Sequence, residues 1–310
     1  AVTAPSSTVR LHSKITVPSE YIWVGIWTPN CASIHNYKYA IGFVDYCSSY
    51  TFVYLLTYKS QAHKSLASFL KFCSHHRLSP KLFHLDNDKV FTADAFSLQC
   101  AKAGISMQYS SPYSPHQIGL LECTWRTLAE CCFTMLEHSG LKVEFWEYAL
   151  QTAAYIHNRT WRLSINDIPY RVVFGEIPDL SRLRRFGCPV WDTVPLQSKP
   201  KREGRAERGI LVGYSSQSPS WYIYSPKTNT IHETRSVKFD EEFGGDLTDL
   251  KDCYERWRIT GIKDNTGPFP LTRPEFPSLT THMQSNPLYE DATDSITIEI
   301  SQLKITGLSN

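Results

Sequence analysis

Three short runs rich in β-branched, aromatic and other apolar residues, at 21–27, 39–46 and 51–58, are separated by turn-forming residues. That pattern predicts three consecutive strands in a meander. Ala62, Leu66, Phe69, Leu70 and Cys73 then recur at spacings of three and four, which marks one face of a helix. A short apolar strand at 82–85 ends at Asp86. A helix over 93–103 is stopped by Gly104, and 105–109 supplies a fifth strand. After the breaker-rich segment Ser110-Ser111-Pro112-Tyr113-Ser114-Pro115, the residues Leu121, Trp125, Leu128, Cys132 and Leu136 line a long helix ending near Gly140. A further helix is predicted over 144–157. The order β-β-β-α-β-α-β-α-α is that of a mixed sheet covered by helices, an α/β fold.

From Arg182 onward the pattern changes. Runs at 190–194, 209–214, 221–224 and 231–239 read as strands, with Pro226-Lys227-Thr228-Asn229 as a hairpin turn, so a small all-β module is expected. Residues 1–19 read as a linker or truncated remnant. Residues 244–310, rich in Pro, Ser, Thr and Asp, suit a mostly disordered tail with some strand tendency at 296–300. The expected division is therefore 20–162 for the α/β core, 163–180 for a connecting helix and linker, and 181–243 for the β module.

Composition narrows the picture modestly. The 310 residues carry a net charge of +2, which says nothing of partners until its distribution is known. No apolar run is long enough to span a bilayer, and 1–18 lacks the basic-then-apolar pattern of a secretory leader, so an intracellular protein without membrane contact is expected. Nine scattered cysteines form no C-x-x-C pair and read as reduced, mostly buried thiols. Cys73 with His75 and His76 reads as a helix end rather than a metal site.

The candidate chemistry begins with two carboxylates, Asp86 in Phe83-His84-Leu85-Asp86-Asn87 and Glu122 in His116-Gln117-Ile118-Gly119-Leu120-Leu121-Glu122, with 35 residues between them. Metal-assisted phosphoryl transfer needs several carboxylates converging on divalent ions about 4 Å apart. An acid at the end of a buried strand and one on a helix packed against it satisfy part of that need. Without context, Asp86 opens an Asp-Asn turn and Glu122 is a solvated helix position.

The flanking residues change that reading. Ser111-Pro112-Tyr113-Ser114-Pro115-His116-Gln117, Gly119, Glu122 and Arg126-Thr127-Leu128 resemble the P-Y-T-P-Q-Q-N-G-x-x-E-x-x-N-R-T-L block of copia-type LTR retrotransposon integrases. Phe145-Trp146, Asn158-Arg159-Thr160, Leu183-Arg184-Arg185-Phe186-Gly187-Cys188, Gly213-Tyr214 and Val237-Lys238-Phe239-Asp240-Glu241 resemble further blocks of that family in the same order. So do Tyr37-Lys38-Tyr39 and Phe43-Val44-Asp45-Tyr46 on the N-terminal side. The resemblance covers about residues 20–243. It implies an RNase H-like core with a five-stranded mixed sheet, an SH3-like module after it, and an enzyme that joins DNA ends to target DNA with three acids and Mg²⁺ or Mn²⁺. It also implies a homo-oligomer working on DNA in the nucleus. The family's upstream zinc-binding spacing does not occur before Tyr21.

Carried over by position, Asp86 is the second acid and Glu122 the third, both as catalytic and metal-binding residues. The first acid belongs in an H-x-D-x-x-G-P segment. Here that segment reads Trp23-Val24-Gly25-Ile26-Trp27-Thr28-Pro29, placing Gly25 at the Asp position. Asp45 is the nearest spare acid on the strands, but its block matches a different family Asp beside a turn. The family's D-N-G-G-E-F loop has become Asp86-Asn87-Asp88-Lys89-Val90-Phe91, and Ile118 and Cys123 replace polar positions. Catalysis is therefore expected to be impaired and metal binding weak or absent. The alternative is a non-catalytic DNA-binding or assembly protein that keeps the fold.

Nucleic-acid contact is expected from Arg126 and from a basic stretch. Between Ser181 and Arg208 stand eight Lys and Arg against three Asp and Glu. Its candidates are Arg184, Arg185, Lys199, Lys201, Arg202 and Arg205, suited to salt-dependent phosphate contact.

Overall fold

The computed structural model describes residues 17–110, 119–193, 206–215 and 218–241. The first three strands, β1 (Tyr21–Trp27), β2 (Tyr39–Asp45) and β3 (Thr51–Leu56), form the meander. Helix α1 (Ala62–His75) follows, then β4 (Leu82–Leu85), α2 (Asp94–Lys102), β5 (Ser106–Tyr109), α3 (Gly119–Ser139), α4 (Trp146–His157) and the short α5 (Pro169–Phe174). The sheet order is β3-β2-β1-β4-β5, with the meander antiparallel and β4 and β5 parallel to β1. This is the RNase H-like arrangement.

Strand alternation sends side chains to two different cores. Ile22, Val24, Ile41, Phe43, Phe83 and Leu85 face α1 and bury Leu66, Phe69 and Cys73. There the Phe43 and Phe69 rings stack in parallel, 4.4 Å apart. Tyr21, Trp23 and Val44 face the other way and meet Leu121 of α3. The Asn158 side chain closes the β3 edge: its Oδ1 accepts from the Thr51 amide and its Nδ2 donates to the Thr51 carbonyl, each at 2.8 Å. One asparagine thus supplies a missing strand partner for a residue 107 positions away.

The second sheet, in order β10-β6-β7-β8-β9, is antiparallel and built from β6 (Pro189–Thr193), β7 (Ala206–Tyr214), β8 (Trp221–Ser225), β9 (Thr230–Thr234) and β10 (Val237–Phe239). It corresponds to the SH3-like module. The single run expected over 231–239 is two strands. The Ser236 amide donates to Thr234 Oγ1 and the chain turns there, so β9 pairs with β8 while β10 pairs with β6. Asp192 of β6 accepts from His232 (2.6 Å) and Thr234 (3.2 Å) of β9, so side chains join two strands that stand three places apart in the sheet order.

The module does not hang from a linker. Phe186, Ile210, Val212, Tyr222 and Tyr224 pack into the same core as Leu128, Leu136, Trp146 and Leu150 of α3 and α4. Tyr214 stacks on Tyr155 at 4.6 Å, and its hydroxyl accepts from the Arg184 amide and donates to the Arg184 carbonyl. Gly187 sits at φ +78° against Ser139, whose Cβ occupies the place where a side chain at 187 would begin, so only glycine fits both the conformation and the space.

No disulfide joins the described cysteines. Cys73, Cys100, Cys132 and Cys188 are buried, whereas Cys123 and Cys131 are exposed on α3. No helix among the described residues is long and apolar enough to cross a membrane. The N-terminal segment to residue 16 and everything from 242, including 296–300, lie outside the described residues.

Candidate active site

The parallel register aligns Val24 with Leu85, and the Asp86 amide donates to the Val24 carbonyl at 3.3 Å. The next position along β1, Gly25, therefore lies beside Asp86, one strand spacing away. Positions 21, 23 and 25 and positions 82, 84 and 86 all face α3, where Glu122 stands in the first helical turn. Gly25, Asp86 and Glu122 line one open cleft of about 360 Å³ together with Ile26, Leu121, Trp125 and Arg126. The fold thus brings together the two predicted acids and Arg126, one turn beyond Glu122.

Asp86 is half-buried and Glu122 exposed. The turn after β4 is held by Asp86 Oδ1, which accepts from the Asn87 amide (2.7 Å), and by Asn87 Nδ2, which donates to the Ser110 carbonyl (2.8 Å). Beneath it His84 is buried between Tyr21 (3.1 Å) and Ser110 (2.9 Å), with its ring 3.9 Å from that of Trp23. This scaffold fixes Asp86 at the mouth of the cleft.

The third corner holds no acid. A Cβ built on Gly25 would lie 2.5 Å from Leu121 Cδ2, so the leucine already fills that space. Gly25 is paired across the β1-β2 ladder with Gly42, where a Cβ would come within 2.7 Å of the Trp125 ring. Leu121 and Trp125, four residues apart on one face of α3, thus seat the helix into a flat patch made by two glycines. Glycines inside strands signal such close approach of a neighbouring element, and this signal was available in the sequence. The partners Leu121 and Trp125 were not.

Asp45 cannot take the missing place. The register puts it opposite Ile22, three residues from Gly25 and on the α1 side of the sheet. It is fully buried, accepting from the Ser19 amide (2.8 Å), the Ser48 amide (2.9 Å) and the Ser48 hydroxyl. Burial raises its pKa, against the pull of these donors. Among the described residues no three His, Cys, Asp or Glu side chains converge as metal ligands.

The expected basic residues divide. Arg184 is committed to the module: its NH1 donates to the Ser181 and Leu183 carbonyls, its Nε lies 3.5 Å from Glu241, and its guanidinium lies over Phe239. Arg185 is exposed beside it. Neither lines the cleft. Lys199, Lys201, Arg202 and Arg205 lie outside the described residues.

Comparison with known proteins agrees with this architecture. Residues 19–115 match the Integrase core domain family and residues 188–252 the Retroviral polymerase SH3-like domain family. The Retrovirus-related Pol polyprotein from transposon RE1 of Arabidopsis thaliana is 31% identical over 252 residues, 78% of this chain and 17% of the relative. The corresponding polyprotein from transposon RE2 of the same plant is 28% identical over 282 residues, covering 87% and 19%. That from transposon TNT 1-94 of Nicotiana tabacum is 29% identical over 212 residues, covering 67% and 16%. The chain spans under a fifth of the length of these relatives. An HTLV-2 integrase catalytic core solved with magnesium in a trimeric form aligns at a TM-score of 0.41 and 16% identity, covering 50% of this chain and 97% of that one. With an integrase core and a retroviral SH3-like domain in one order within one chain, and plant Pol polyproteins matching most of its length, the protein belongs to the copia-type retrotransposon integrases.

Proposed function

We propose that this chain is the DNA-engaging integrase region of a retrotransposon Pol polyprotein whose strand-transfer chemistry is disabled at Gly25. The observation that carries the reading is the leucine side chain over Gly25, beside Asp86 and in the cleft with Glu122. Integrase chemistry places two divalent ions about 4 Å apart, where they activate the attacking oxygen and neutralise the leaving one. Two mutually repelling dications at that distance need acids on every side. Asp86 and Glu122 are donors enough for one ion, and the third corner is apolar. The residues present do not fit a two-ion centre.

The magnitude is large on any accounting. Charge stabilisation by metal is worth several kcal/mol in the transition state, and each 1.4 kcal/mol is about tenfold in rate. Strand transfer is therefore lowered by orders of magnitude. DNA contact, which draws on Arg126 and the basic turn at Arg185, does not depend on the missing acid. As a DNA-binding subunit the chain would act in the nucleus as a homo-oligomer.

The test uses the full chain with a duplex carrying element ends, in Mg²⁺ and in Mn²⁺. Wild type should give no more joined product than Glu122→Gln, while binding the duplex equally well with or without chelator. Product from wild type that Glu122→Gln abolishes would overturn the reading.

A further inference from the structure

We infer that the open edge of β5 docks an extended segment of a partner protein, which joins the core sheet as a further strand. β5 stands last in the order β3-β2-β1-β4-β5 and pairs with β4 from Ser106 to Tyr109 in unbroken register. The Ser106 amide donates to the Lys81 carbonyl (2.9 Å) and the Ser110 amide to the Leu85 carbonyl (3.0 Å). The Asn87 side chain prolongs that ladder by donating to the Ser110 carbonyl. Ser106, Gln108 and Ser110 thus spend their backbone groups on the β4 side, and alternation turns those of Met107 and Tyr109 the other way. Among the described residues the outward amides and carbonyls of Met107 and Tyr109 meet no partner.

Natural sheets blunt such edges with charges, prolines or covering groups, because a bare edge invites another strand. The other edges of the two sheets obey that rule. Asn158 clamps β3 at Thr51, and exposed charges stand on β9 (Glu233) and β10 (Lys238). β5 reads Ser106-Met107-Gln108-Tyr109, with neither a charge nor a proline, and its two end residues are exposed.

The flanks of the edge define the occupant. Met107 and Tyr109 stand opposite Phe83 and Leu85 in register and so lie on the α1 and α2 side, whereas Ser106 and Gln108 lie on the α3 side. On α2, Phe96 and Cys100 are buried against the sheet, and Gln99 turns to the α1 backbone at His63 and Ala67. At about 100° per residue, Asp94, Ser97 and Ala101 therefore share the flank away from α1, beside the β5 edge. Ser97 and Ala101 are small and leave room for a bulky apolar side chain, while exposed Asp94 has no ion pair among the described residues. The segment that fits is extended, with apolar residues alternating along one side and a Lys or Arg at the end beside Asp94. A phosphate backbone has no donor for the outward carbonyls, and the β5 strand of a second copy brings no cation.

The inference stands apart from the strand-transfer reading, because neither Met107 nor Tyr109 lines the cleft. The probe is the peptide Lys-Thr-Val-Thr-Val-Thr-Lys, added to the full chain while hydrogen exchange is followed at single amides. In the free chain the Met107 and Tyr109 amides should exchange faster than that of Gln108 between them, and the peptide should slow both. The same peptide methylated on its central backbone amides should bind more weakly by about fivefold for each hydrogen bond lost. Met107→Pro removes an outward amide and none that β4 uses, so it should weaken binding about as much while Gln108 stays protected. Met107→Leu should bind as wild type, and Asp94→Lys should bind more weakly. Equal binding of the methylated peptide, or no slowing at Met107 and Tyr109, overturns the inference. So does protection of both amides before peptide is added, which would mean that this chain or a second copy already covers the edge.

Discussion

Leu121 occupies the volume that any side chain at Gly25 would need, its Cδ2 standing 2.5 Å from the position of a Cβ there. The contact couples two positions that lie on different elements, and it means that the space beside Gly25 is filled by packing rather than left as a hole. Placing an acid there is consequently a two-residue problem.

Gly25→Asp alone should destabilise the protein by about 1–3 kcal/mol, the usual cost of forcing atoms into a filled core site. The new carboxylate is also buried beside Asp86. Leu121→Ala in the same chain should relieve the steric part, so the double variant is more stable than the sum of the single changes. The double variant should further gain stability from Mn²⁺, since an ion bound only by the folded state stabilises that state, whereas wild type should gain little. Urea melts of the four proteins, with and without Mn²⁺, decide the matter. Additive single effects, or equal Mn²⁺ stabilisation of wild type, would refute the coupling.

Gly42→Ala tests the other half of the glycine patch. Alanine in a strand is ordinarily favoured over glycine by roughly 0.5–1 kcal/mol through backbone entropy. Here the added methyl would meet the Trp125 ring at 2.7 Å, and the ring is itself stacked on Trp27. Overpacking should win, giving a net loss of about 1–2 kcal/mol and a shifted tryptophan emission. A stabilised variant with unchanged emission would show that α3 yields easily.

Much of the α/β core was legible because its periodicity and its contacts agree. Buried strands alternate, α1 presents Leu66, Phe69 and Cys73 at helical spacing, and Gly104 and Gly140 terminate helices at positive φ. That Asp86 and Glu122 would line one cleft was legible through the blocks around them. What could not be read depends on depth and on distant partners. How far α3 sinks onto the sheet is set by Gly25 and Gly42 jointly, two strands that periodicity treats separately. Arg184 reads as an open cation until Glu241 and Phe239, more than fifty residues later, turn it inward. The break within 231–239 follows from a side-chain hydrogen bond at Thr234, which leaves the hydrophobic pattern unchanged.

Asn158 should be among the costliest polar side chains to remove. Asn158→Ala leaves both the Thr51 amide and carbonyl buried without partners, at about 1–3 kcal/mol each, so a loss of at least 2 kcal/mol is expected. Asn158→Asp should not rescue it, because one carboxylate oxygen would then face the Thr51 carbonyl where an NH₂ now donates. Hydrogen exchange at the Thr51 amide should accelerate in both variants. Protection equal to wild type would show that β3 is held by something other than this clamp.

Acid sensitivity should be set in part by His157. Burial first, and then the Arg162 guanidinium, lower its pKa from the ordinary 6.5 to about 4. The Arg162 NH1 donates to His157 Nδ1 at 2.8 Å, and His157 Nε2 lies 3.3 Å from the Ser49 carbonyl, the arrangement of a neutral ring. The folded state therefore resists a proton that the unfolded chain accepts below 6.5. The stabilisation is fully present above that pH and is lost as pH falls toward 4, at up to about 1.4 kcal/mol per pH unit, for a total on the order of 2–3 kcal/mol. Buried Asp45, whose pKa is raised, acts in the opposite direction over the lower part of this range, so only a difference measurement isolates the histidine. His157→Gln, which cannot take up the proton, should lose less stability than wild type between pH 6.5 and 4. Parallel stability curves for the two proteins across that window would mean that the ring titrates with little hindrance and that Arg162 moves aside to let it.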